Sequence, residues 1–62
     1  MTPSLLSKVQ QSLMEKGYYS EAVNGVFDEY TRNSLKNFQS TRNLPIGTLN
    51  LETMAALGVS AK

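Results

Sequence analysis

The chain reads as an all-α domain: three short helices around one small core, with an internally duplicated loop-helix unit. Three observations predict this. Apolar residues recur at helical spacing, first as Leu6, Val9 and Leu13 and again as Leu35 and Phe38. Gly17, Asn43 and Gly58 close the three periodic runs, and each residue type tolerates the left-handed turn at a helix end. A pattern also repeats, once as Asn24-Gly25-Val26-Phe27-Asp28-Glu29-Tyr30-Thr31 with Leu35, and again as Ile46-Gly47-Thr48-Leu49-Asn50-Leu51-Glu52-Thr53 with Leu57. Two copies are too few for a solenoid, so the repeat points to a globular domain.

The first helix is expected from Thr2, with Thr2 or Ser4 as cap and Pro3 in the first helical position. Leu6, Val9 and Leu13 form its apolar stripe, and Leu5 and Met14 widen it. Lys8, Gln11, Ser12 and Glu15 fall on the wet side, and Gly17 ends the helix. Asn24-Gly25 would signal a hairpin between alternating strands, but its flanks are too short, so residues 20–27 read as an ordered loop. Asp28 then caps a second helix running to about Arg42, with Thr31, Leu35 and Phe38 inward and Asn43 as terminator. Leu44, Ile46 and Leu49 carry the chain back across the core, and Pro45 stiffens the turn. A last helix follows the Asn50 cap, buries Met54 and Leu57, and stops at Gly58. In both copies of the repeat, the apolar residue before the cap, Phe27 or Leu49, is expected to pin the entering chain to the core. One domain over residues 1–62 results, with a core from about residue 4 to 59 and a frayed tail at 60–62.

Composition narrows the function. A chain of 62 residues buries only ~60% of the surface it exposes when unfolded, which leaves no room for a deep catalytic cavity. With no Cys and no His, disulfides, Cys-based metal sites, structural zinc and His acid–base chemistry are excluded, so neither a metal nor a cofactor is expected. A glycosidase would need two carboxylates flanking one bond in a cleft. Glu15, Glu21, Asp28, Glu29 and Glu52 each have an ordinary helix-surface or cap explanation instead. Six basic and five acidic residues, for a net charge of +1, create no field that would draw in nucleic acid. The third helix also lacks Lys and Arg for phosphate contacts. No apolar run approaches the ~20 residues needed to cross a bilayer, and no signal peptide is recognisable in this chain. The composition therefore argues against an independent enzyme and against membrane insertion, and the isolated domain is expected to be a monomer.

Val9-Gln10 followed by Leu13, Gly17-Tyr18, Asn24-Gly25-Val26-Phe27, Thr31, Phe38-Gln39 and the segment from Leu49 to Leu57 together resemble the peptidoglycan-binding domain family, the small three-helix modules appended to bacterial and phage cell-wall hydrolases. The resemblance spans roughly Leu6 to Val59. It implies a noncatalytic module that anchors or targets a hydrolase or envelope protein to murein, in the periplasm or the extracellular cell wall. The alternative is a protein–protein interaction domain of an envelope or secretion assembly with the same fold. The chain departs from the common family pattern in three places. It has Asn24-Gly25 where Asp-Gly is usual and Asp28-Glu29 where Gly-Pro is usual. Its second loop, Leu44-Pro45-Ile46-Gly47, is one residue shorter and lacks the polar residue before Gly.

A sugar–peptide polymer offers ring faces, amides and carboxylates. Tyr19 and Tyr30 are the aromatic candidates to cover a sugar face, whereas Tyr18 is expected to lie mainly in the core. Asn24 and Asp28 can hydrogen-bond an acetamido group or stem peptide, although turn and cap formation is their first duty. Arg32 can pair with a stem-peptide carboxylate. Gln39 is expected to bind backbone groups across the core.

Overall fold

Residues 3–59 are described by the computed structural model. They form three helices, α1 (Pro3–Glu15), α2 (Glu29–Thr41) and α3 (Leu51–Leu57), with no strand among them. α1 packs against both of the others. Its stripe of Leu6, Val9 and Leu13 meets Tyr19, Leu35, Phe38 and Leu57 in one cluster, and Met54 is buried as well. The Tyr18 ring stands edge-on to Phe38, with centroids 5.4 Å apart, and the Arg42 guanidinium lies 5.2 Å from the centre of the same ring.

All three helices end in the same way. An N–H just beyond the last turn reaches back five positions: Tyr18 to the Leu13 carbonyl at 2.8 Å, Leu44 to Gln39 at 2.8 Å, and Val59 to Met54 at 2.9 Å. The preceding residue reaches back three positions, from Gly17 to Met14, Asn43 to Ser40 and Gly58 to Ala55. This paired bonding needs a left-handed residue between helix and exit. Gly17, Asn43 and Gly58 supply it with φ of 87°, 57° and 75°. The following residue is then thrown back onto the core, where Tyr18, Leu44 and Val59 all pack.

The starts of α2 and α3 also correspond. The Asp28 and Asn50 side chains accept the Thr31 and Thr53 N–H groups at 3.0 and 2.8 Å. A tight turn precedes each cap, with Asp28 N–H bonded to the Val26 carbonyl and Asn50 N–H to the Thr48 carbonyl. Their apolar residues fare differently. Leu49 packs on the core, whereas Phe27 is 44% exposed. The pinning expected of Phe27 is therefore weak, and the sequence explains why. A residue just before a cap is buried by an apolar partner at the fourth helical position. That position is Met54 in α3 but Arg32 in α2.

Three further expectations are corrected. Ser12 is not on the wet side of α1: it is buried and donates to the Leu57 carbonyl at 2.6 Å, which ties the end of α3 to α1. Ile46 is 59% exposed, so Leu44 and Leu49 carry the return across the core. Ser4 lies inside the first turn of α1. Thr2, the other cap candidate, and the tail at 60–62 lie outside the described residues.

Asn43 is the one left-handed non-glycine residue among those described. Asn43→Val should cost about 1–2 kcal/mol, whereas Asn43→Gly should be neutral or stabilising. Urea denaturation followed by circular dichroism measures both.

Candidate binding surface on the first loop

The loop between α1 and α2 has no helix or strand to satisfy its backbone. Gln10 does so from the inward face of α1, and its side chain is fully enclosed. Its Oε1 accepts two consecutive backbone N–H groups, Asn24 at 3.0 Å and Gly25 at 2.9 Å. Because an N–H can only donate, this fixes which end of the carboxamide is oxygen. The amide nitrogen then faces acceptors only. Its two protons best match the Thr31 hydroxyl at 2.8 Å and the Val26 carbonyl at 2.9 Å, with Asn24 Oδ1 at 3.1 Å and the Tyr19 hydroxyl at 3.3 Å more distant.

Gln39 repeats the device one helix later. Its Oε1 accepts Gly47 N–H at 3.1 Å, and its amide donates to the Thr48 carbonyl at 2.7 Å and to the Thr53 hydroxyl at 3.1 Å. The expected role of Gln39 across the core is the one observed. Gln10 is the functional residue that residue-by-residue reading passed over. Its signal is the pairing of Val9-Gln10 with Phe38-Gln39, a Gln beside an inward apolar residue ahead of each Gly-containing loop.

Of the five candidate site residues, three belong to this frame. Tyr19 is 3% exposed, and its hydroxyl donates to the Ala22 carbonyl at 2.6 Å, so its ring faces the core and offers no surface to a ligand. Asn24 Oδ1 accepts Val26 N–H at 3.0 Å, forming an Asx turn. Asp28 Oδ1 holds the Thr31 N–H and hydroxyl, both at 3.0 Å. Among the described residues, every buried side-chain nitrogen and oxygen has a partner.

Tyr30 and Arg32 are exposed but are not brought together. Two residues apart on a helix, they leave α2 about 160° from one another. Tyr30, 60% exposed, instead ends an apolar run on the loop: Val23 at 41%, Val26 at 55% and Phe27 at 44%. Three of these exposed apolar residues lie on the loop that Gln10 bonds at Asn24, Gly25 and Val26, and Tyr30 follows in the first turn of α2. Glu21 and Glu29 are exposed beside them.

A separate open groove of about 450 Å³ lies between α1 and the end of α3, lined by Lys8, Gln11, Ser12, Glu15, Leu57, Gly58 and Val59. Its α1 residues lie about 150° round the helix from Gln10. Among the described residues, no group of three or more His, Cys, Asp or Glu side chains is placed to hold a metal ion, and no helix is long and apolar enough to cross a membrane.

Gln10→Ala should cost about 2–4 kcal/mol, because it strands the Asn24 and Gly25 N–H groups. Against the ~3–9 kcal/mol typical of this chain length, that is a large share. Gln10→Glu should also destabilise at neutral pH, since the carboxylate cannot donate to Val26 and Thr31. Part of that loss should be recovered on acidification, when the protonated acid regains one donor. Denaturation midpoints at two pH values test both variants.

Residues 2–57 match the family model described as "Putative peptidoglycan binding domain". No curated protein and no solved structure matches the chain significantly.

Proposed function

Because the chain belongs to the peptidoglycan-binding domain family, we propose that it is a noncatalytic module that anchors or targets a cell-wall hydrolase or envelope protein to murein. It would act in the periplasm or the extracellular wall. The observation that carries this reading is the exposed run of Val23, Val26, Phe27 and Tyr30 on a loop held rigid by Gln10. Apolar and aromatic side chains cover sugar ring faces and the methyl groups of lactyl and alanyl units, and a rigid loop loses little entropy on contact.

The site residues divide by role. Tyr30 lays its ring on the polymer, and Arg32, on another flank of α2, pairs with a carboxylate elsewhere along the strand. Asn24 and Asp28 shape the surface, and Tyr19 supports it from inside. A surface of this kind buries little area. Affinity per site is then low, and repeated sites on the polymer supply avidity. The domain binds as a monomer.

The apolar character of the run also suits a protein partner in an envelope or secretion assembly. Sedimentation with purified, protein-free sacculi separates the two readings. Folded wild-type protein should cosediment, Tyr30→Ala should weaken binding roughly 2- to 10-fold, and Arg32→Ala should weaken it less. A folded wild-type domain that stays in the supernatant across salt and pH would remove wall binding and leave the protein partner.

A further inference from the structure

We propose that Asn24-Gly25 is a site of spontaneous deamidation, that the Gln10 carboxamide guards it, and that the loop is built to keep its shape when the product is aspartate. Asn followed by Gly is the most permissive dipeptide for this chemistry, because no side chain hinders the following nitrogen. The Gly25 amide nitrogen loses its proton to solvent base and attacks Asn24 Cγ. The new N–C bond forms, the Cγ–Nδ2 bond breaks, and ammonia leaves with a proton taken from water. Water then opens the five-membered imide at either carbonyl, giving aspartate or isoaspartate.

Asn24 is exposed, so water and base reach it. The nucleophile is the obstacle. Gly25 N–H donates to Gln10 Oε1 at 2.9 Å, and the neighbouring Asn24 N–H donates to the same oxygen at 3.0 Å. A deprotonated Gly25 nitrogen would face the oxygen lone pairs of the buried Gln10 carboxamide from a part-buried position, where an unpaired charge is costly. Closing the ring would also swing the Gly25 peptide off Gln10. One effect acts in the other direction: Val26 N–H donates to Asn24 Oδ1 at 3.0 Å, and the Gln10 amide nitrogen lies 3.1 Å from the same oxygen, which polarises Cγ towards attack. That gain requires the anion first, and the anion is what the site disfavours. Deamidation therefore proceeds through an opened loop, at a rate set by how often Gln10 lets go.

The products differ. The Asn24 side chain meets its two neighbours, Val26 N–H and the Gln10 amide nitrogen, through Oδ1 alone. An aspartate keeps both and strengthens them with its charge. It lowers the net charge of +1 by one unit, beside the run that ends at Tyr30. Isoaspartate inserts a methylene into the backbone and draws the two N–H groups out of register with Gln10.

Peptide mapping by mass spectrometry, with isoaspartate resolved, tests this on the folded chain and on a synthetic peptide spanning residues 20–29, both held at mildly alkaline pH. Asn24 in the folded chain should deamidate at least about tenfold more slowly than in the peptide. Gln10→Ala should close most of that gap. If that variant does not fold, the wild-type rate in intermediate urea should track the unfolded fraction. Asn24→Asp should be as stable as wild type or more so. Equal rates in folded chain and peptide would overturn the guard, and a strongly destabilised Asn24→Asp would overturn the tolerance of the product.

Discussion

One buried carboxamide sets the shape of the connection between α1 and α2. The loop brings two consecutive N–H groups and a carbonyl against α1, and a single side chain must satisfy both kinds. Lys offers donors only, a carboxylate offers acceptors only, and Asn is too short to reach from the helix. Gln supplies both ends at the length required, and its enclosure at 0% exposure strengthens each bond by removing competing water. Thr31 completes the arrangement, accepting from Gln10 while its own N–H and hydroxyl engage Asp28. The helix cap and the loop brace are thus one network, and α2 starts where that network places it.

Gln39 does the same for the connection into α3, so each of the first two helices carries the arm that holds the loop after it. This matters in a chain with no Cys or His, where disulfides and zinc are not available to stiffen loops. The apolar core is small, and α3 is only a short helix. Polar bonds that cross between elements, Ser12 to Leu57 and Gln39 to Thr53 among them, hold positions that apolar packing alone would leave loose. Fixing the loop backbone in turn lets Val23, Val26, Phe27 and Tyr30 face outward without collapsing onto the core.

The helices, both caps and all three left-handed terminators were legible in the sequence because each depends on local chemistry: apolar period, an Asx side chain, a Gly or Asn. What was not legible depends on neighbours distant in the chain. Ser12 sits on the wet side by helical angle alone, yet the end of α3 covers it and takes its proton. Tyr19 and Tyr30 look alike as loop aromatics. Their surroundings separate them: the Tyr19 hydroxyl donates to the Ala22 carbonyl and its ring joins the core, whereas Tyr30 stays exposed. Phe27 was readable in principle, since Arg32 at the fourth helical position cannot bury it. Gln10 was the hardest to read, because a polar residue beside an apolar stripe has no local pattern that distinguishes a solvated flank from a buried brace.

The proposed contact with murein requires a loop that is rigid before it meets ligand. Amide hydrogen exchange at Asn24 and Gly25 in the free domain tests that most directly. If Gln10 holds the loop, both N–H groups will be protected to a degree approaching the core amides of Leu13 and Phe38, although they belong to no helix. Exchange at the rate of an unstructured loop would contradict the account, and the outward apolar run would then be a flexible segment without a fixed shape.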